Sequence, residues 1–236
     1  MFSIKRLLIP FLSLFALTSC VAQSATTRAA VHAAGPEAFV IAANPLAARA
    51  GLDVLARGGS AVDAAIAVQA MLSLVEPQSS GLGGGAFLNY YDARTKRLTI
   101  YDGREVAPAQ ASEAMFLGPD GKALPTATAM LSGRATGVPG AVKMLSVAHG
   151  KHGKLPWSSL FGGAQRTAKD GFIVSPRLAR LIGTDAPQMS APDARAYFSK
   201  ADGSLLKAGD LLRNRAYSEF VGRLAAQGPA AFYSGS

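Results

Sequence analysis

Residues 79–87, SSGLGGGAF, raise the question that settles the fold. Gly81, Gly83 and Ala86 fit the G-x-G-x-x-G/A pattern in which backbone closes on a dinucleotide pyrophosphate. That use needs a strand before the glycines and a helix after them, so that the phosphate meets a helix N-terminus. The flanks give the reverse order. Upstream, AVDAAIAVQAMLSL (61–74) reads as a helix opened by Ser60, with Asp63 three residues on as a capping-box acid. Downstream, AFLNYYD (86–92) and RLTIYD (97–102) read as two strands joined by a polar turn around 93–96, a hairpin. A hairpin supplies no second parallel strand ending in the acid that would hold a ribose, so no nucleotide site is expected. The glycines are expected instead to let backbone pass tightly against its neighbours between a buried helix and a core strand.

Working outward, AFVIAA (38–43) is a short apolar strand candidate. Asn44 caps a helix with Pro45 in its first turn, and the pattern runs to Arg57 before Gly58 and Gly59 stop it. The helix over 61–74 carries alanine nearly all round, which suits close burial against a sheet or another helix. GPDG (118–121) is a turn, and helices are expected over 139–148, 157–169, 176–182 and 217–226. Ser175 and Asn214 are N-cap candidates for the last two. The fold class is α/β, helix-rich with few strands.

The chain has 236 residues, 49% hydrophobic and 17% charged, a globular profile. Its formal charge of +9 comes from scattered basic residues without interleaved aromatics, so a nucleic-acid partner is not expected. At the N-terminus, Lys5 and Arg6 precede an apolar run over 7–17, too short to span a bilayer but suited to a secretory signal. LTSC (17–20) follows, and it resembles the lipobox of bacterial lipoproteins, in which the cysteine is acylated. This reading gives a signal peptide over 1–19, lipidation at Cys20, the sole cysteine, and an Ala/Thr/Ser-rich tether over 20–37. The alternative is a plain signal cut nearby, for instance after Ser24. Either way the protein is expected to be exported, to the periplasm or anchored on the outer membrane, and to touch membrane only through an N-terminal lipid.

The run NPLAARAGLDVLARGGSAVDAAIAVQAMLSLVEPQSSGLGGGAF (44–87) resembles the N-terminal signature of the γ-glutamyltranspeptidases, or glutathione hydrolases. The resemblance continues in order through YDGREVAP, SGRATGVPGAV, HGKLPW, GFIVSPRLA and GPAAFYSG, covering about 38–236. It implies part of an N-terminal-nucleophile hydrolase, an αββα sandwich, made as a precursor that cuts itself into a large and a small subunit. The small subunit's leading Thr then attacks the γ-glutamyl amide, with its own amine as base. The chain reaches Ser236 before the position of that Thr, so residues 38–236 would be the first part of the large subunit, inactive alone and lacking its small-subunit partner. Thr126, Thr128 and Thr136 are read as structural, and no residue here is assigned as catalytic. The substrates implied are glutathione and other γ-glutamyl compounds, and no cofactor is implied.

One functional residue carries over. The Arg of the family's R-E-x-A-P motif binds the glutamyl α-carboxylate, and that motif stands here as Arg104, Glu105, Ala107 and Pro108. A planar guanidinium can grip a carboxylate with two parallel hydrogen bonds. A salt bridge to a local acid such as Asp102 is the competing use. Asp63 and Glu76 are expected as caps or buried hydrogen-bond partners, and His149 and His152 as surface-loop residues. With His32 as the remaining histidine, a metal site lacks ligands. Arg134 could touch a neighbouring subunit. Other readings are a cephalosporin or glutaryl acylase of the same superfamily and an inactive exported lipoprotein remnant. Without its complement, the 61–74 helix and the hairpin are expected to leave apolar faces and strand edges uncovered.

Overall fold

The computed structural model describes residues 38–234. The expected signal peptide (1–19), Cys20 and the expected tether (20–37) lie outside the described residues.

Two capped helices begin the fold. Asn44 accepts the Leu46 N–H at 3.0 Å and opens α1 (Pro45–Ala56). Ser60 and Asp63 close a reciprocal capping box at the start of α2 (Ala61–Val75), with bonds of 2.8 and 3.1 Å. The hairpin follows as β1 (Ala86–Asp92) and β2 (Arg97–Gly103), antiparallel, with Ala86 opposite Gly103 and Asp92 opposite Arg97. After the 118–121 turn come α3 (Thr126–Leu131) and α4 (Ala141–His152). The expected 157–169 helix divides into a 3-10 turn, Trp157–Leu160, and α5 (Gly162–Asp170). Then come β3 (Phe172–Ile173), α6 (Pro176–Ile182), α7 (Pro192–Tyr197), β4 (Leu211–Leu212), α8 (Arg215–Gln227) and α9 (Ala230–Tyr233). Ser175 and Asn214 cap α6 and α8 as expected. The β3–β4 pair, Phe172 opposite Leu212, has no signal at two residues per strand.

The core forms around α2. Val62, Ile66, Ala67, Ala70, Met71, Leu74 and Val75 are all buried, packed against α1, α4, α5 and the 3-10 turn Trp157–Leu160. Small side chains let those helices approach closely, as the alanine pattern requires. The expectation that the 61–74 helix leaves an apolar face uncovered is therefore corrected: α4 and α5, contributed from residues 141–152 and 162–170, cover it.

The hairpin behaves differently. Its inner face sets Leu88, Tyr90 and Tyr101 against α4, while Phe87, Tyr91, Leu98 and Ile100 are each 60–63% exposed on the other. Four large apolar side chains on one face form a patch of the kind that other polypeptide covers.

Two further expectations are corrected. Residues 38–43 pair with no strand among the described residues, and Phe39 and Ile41 stand 78% and 86% exposed. A strand is defined by its partner, and composition alone cannot supply one. His149 and His152 are not surface-loop residues but occupy the last turns of α4. His152 stacks on Tyr90 with centroids 3.9 Å apart, and its Nε2 lies 2.8 Å from the Tyr101 hydroxyl. His149 Nε2 lies 2.9 Å from the Leu155 carbonyl and 3.5 Å from Asp63 Oδ1. The glycines at 150 and 153 suggest a loop, but the helix runs through Gly150 and stops at Gly153.

Candidate functional site

The site is built at the C-terminal end of β2, where Gly103 leads into Arg104 and Glu105. The Arg104 N–H donates to Asp102 Oδ1 at 2.9 Å, an Asx-type turn that swings the chain out of the hairpin. The Arg104 side chain is 56% exposed, and its Nη2 lies 3.1 Å from Glu105 Oε2. The salt bridge thus falls on Glu105 rather than on Asp102, whose carboxylate serves the backbone.

Glu105 shows what the glycine loop does. Its Oε1 accepts the Gly85 N–H at 2.6 Å. A Cβ on Gly85 would stand 2.5 Å from Glu105 Oε2 and 2.8 Å from Arg104 Cα, closer than side chains come. The close approach expected of the glycines is therefore real at Gly85. At Gly83, by contrast, nothing lies within 4 Å of such a Cβ, so that glycine has no steric need of this kind. The Glu105 carboxyl is held below its usual range, first by its own backbone N–H, with Gly85 and Arg104 adding to this against the upward push of burial. It is a fixed anion.

A second segment braces the corner. Val106 and Val138 form an antiparallel bridge with bonds of 3.3 and 2.8 Å. Gly140 and Ala141 both donate to the Gly84 carbonyl, at 3.2 and 3.1 Å. The loop before β1, the end of β2 and the start of α4 are thereby tied together. Between them opens a cavity of about 530 Å³, within the size range of small-molecule sites. Arg104 and Glu105 line it, with Met115 and Phe116 as apolar wall and Arg134 and Thr136 on the braced segment. Arg134 donates to the Met115 carbonyl at 3.0 Å. Sequence reading gave it no place in this site, because the 106–138 pairing that brings it here has no local signal.

The remaining candidates fall elsewhere. Asp63 and Glu76 stand near opposite ends of α2, about 20 Å apart at the helical rise, too far to share a proton. Asp63 is fully buried and binds three backbone N–H groups through Oδ2, from Ser60, Lys154 and Leu155 at 2.8, 2.9 and 3.0 Å. Glu76, 1% exposed, accepts from Asn44 at 3.0 Å and from Gln78 at 2.5 Å, and pairs with Arg177. Both are the buried hydrogen-bond partners expected. Thr126 and Thr128 sit in α3, away from the cavity lining. Thr136 reaches the cavity, but among the described residues no base is hydrogen-bonded to its hydroxyl, and an unassisted hydroxyl is a weak nucleophile.

A family model described as gamma-glutamyltranspeptidase matches residues 47–236. The chain belongs to the γ-glutamyltranspeptidase family. The glutathione hydrolase proenzyme of Bacillus subtilis is 39% identical to this γ-glutamyltranspeptidase-family chain over 201 residues, which are 85% of the chain and 34% of the relative. The chain thus spans about a third of the length of the curated relatives it matches. The crystal structure of Helicobacter pylori γ-glutamyltranspeptidase matches with a TM-score of 0.78 at 29% identity, covering 84% of this chain and 57% of that one. A cephalosporin acylase from Bacillus halodurans matches less closely, with a TM-score of 0.68 at 26% identity, covering 81% and 36%. The helix-rich arrangement with few strands is therefore part of the N-terminal-nucleophile fold of the γ-glutamyltranspeptidases, a family of enzymes.

Proposed function

We propose that the chain serves γ-glutamyl transfer and glutathione hydrolysis, as the portion that holds the α-carboxylate of the γ-glutamyl donor at Arg104. The observation that carries this is the exposed Arg104 guanidinium at the cavity, mounted on a corner fixed by Glu105, Gly85 and the Val106–Val138 bridge. Glu105 pairs with the guanidinium through Nη2 alone, at 3.1 Å, and the side chain is 56% exposed, so the remaining N–H donors of Arg104 are open to a ligand. A carboxylate arriving in the plane of that fork takes two parallel bonds. Acyl transfer also needs an activated nucleophile, which the described residues do not supply; in this reading the small subunit of the same precursor does.

Arg104→Lys keeps the charge and loses the fork. A charge-assisted hydrogen bond is worth about 1.5–3 kcal/mol, so the substitution should weaken γ-glutamyl binding about tenfold or more. Titration of the chain with a γ-glutamyl peptide, followed by nuclear magnetic resonance, measures this. Equal affinities in the two proteins would remove Arg104 from the site. The match to a cephalosporin acylase supports cephalosporins as a second substrate class, and tighter binding of a cephalosporin than of a γ-glutamyl ligand would favour it.

Export and lipidation at Cys20 belong to the same proposal, supported by the basic residues, the short apolar run and LTSC. Expressed in a bacterium, the wild type should fractionate with membranes and Cys20→Ser should be soluble or unprocessed. A soluble wild type would count against the anchor.

A further inference from the structure

We infer that Arg134 forms a second carboxylate subsite in the cavity, so that the favoured ligands are γ-glutamyl peptides ending in a free carboxylate. The inference rests on the placement of the glutamyl carboxylate at Arg104 given above.

Exposed arginines are common, and most bind nothing in particular. Arg134 differs in three respects. It lines the same cavity as Arg104. It is held there, because Nη1 donates to the Met115 carbonyl at 3.0 Å from across the cavity wall. And among the described residues it has no acidic partner, whereas Arg104 has Glu105 at 3.1 Å. A guanidinium has five N–H donors, so one bond to a carbonyl leaves most of the fork unspent. Such a group, fixed but without a counter-ion, is an anion receptor. The charge count of the lining agrees: Arg104 and Arg134 against Glu105 leave one net positive charge for each ligand-free cavity.

The Val106–Val138 bridge brings the two arginines to one cavity. Arg104 lies two residues before Val106, and Arg134 lies in a 3-10 turn, Gly133–Ala135, that leads into Val138. Val106, Pro108 and Phe116 line the space shared with them. A matching ligand has one carboxylate at each end and an uncharged middle. A γ-glutamyl peptide has this form, with the glutamyl α-carboxylate at one end, the peptide carboxylate at the other and amides between. A γ-glutamyl amide with a neutral leaving group fills only half of it.

The test compares two ligands that differ only at the far carboxylate: S-methylglutathione and its C-terminal amide, each titrated into the full chain. The wild type should bind the acid about fivefold tighter than the amide, the range of a partly exposed ion pair. Arg134→Gln, which melting curves should show to be folded, should bind both at the amide's affinity. Arg134→Lys should keep part of the preference, and Arg104→Gln should weaken both ligands by a common factor. If the wild type binds both peptides equally, or if the preference survives Arg134→Gln, the subsite is overturned while the reading of Arg104 stands. If the wild type binds neither peptide, or Arg104→Gln changes nothing, the reading of Arg104 falls and the subsite falls with it.

Discussion

Asp63→Ala should lower the unfolding free energy by about 3–5 kcal/mol, measured by denaturant titration of the chain. One buried oxygen of this residue, Oδ2, accepts backbone N–H groups from Ser60, Lys154 and Leu155. The first bond is half of the capping box that starts α2, and the other two fasten the segment after α4 to that helix across some 90 residues. Removing the carboxylate strands three donors, two of them tertiary. An unmet buried donor costs about 1–3 kcal/mol, and a cap alone about 1, so non-additive summation still leaves a loss of several kcal/mol. Asp63→Asn keeps one acceptor oxygen and should lose less. Burial raises the Asp63 carboxyl, but the bonds from Ser60, Lys154 and Leu155 outweigh it and set the folded pKa below the ordinary 3.8. The sign follows: the stabilisation is complete above about pH 4 and is lost as pH falls through the lower folded value. The alanine variant should lack that acid-side slope. A loss under about 1 kcal/mol would show that the loop before Trp157 reaches its position without Asp63.

The helix that contains this residue, like the other capped helices, was legible because its signals are local. Asn44, Ser60, Ser175 and Asn214 each cap a helix within three residues of themselves, and AFLNYYD and RLTIYD mark the two hairpin strands, though not the buried face, since Leu98 and Ile100 point outward. Arg104 could be singled out through its motif, and it lines the cavity. What was not legible depends on partners far away in sequence. Residues 38–43 have a strand's composition but no ladder among the described residues. His149 and His152 look like loop histidines until Asp63, Trp157, Tyr90 and Tyr101 are seen around them. Arg134 gains a role only through a bridge between positions 106 and 138. Even the glycine run is mixed, since its spacing suggests phosphate, while only the contact of Gly85 with Glu105 tells which glycine is required and why.

Gly140→Ala should cost about 3 kcal/mol or more and also weaken ligand binding, although residue 140 does not line the cavity. A Cβ at this position would overlap the Gly103 carbonyl oxygen and stand 2.7 Å from that of Arg104. Overpacking in a core usually costs about 1–3 kcal/mol because side chains can turn aside. Here the obstacle is backbone on both sides, and relief requires the end of β2 to move. That movement has a functional consequence. Gly140 N–H also binds the Gly84 carbonyl, so residue 140 joins the glycine loop, the β2 end and the first turn of α4. Displacing β2 shifts Arg104, and with it the Glu105 carboxylate seated on Gly85. Binding of a γ-glutamyl peptide should therefore fall in whatever fraction remains folded. Gly150→Ala, in the same helix, is the internal control. Its Cβ would meet nothing within 4 Å, so the usual helix preference for alanine should stabilise the chain by about 0.5–1 kcal/mol. Opposite signs at the two glycines would establish that Gly140 is needed for close approach and not for the helix as such. If Gly140→Ala melts like the wild type and binds as well, the corner carrying Arg104 is not held by the packing of β2 against the start of α4.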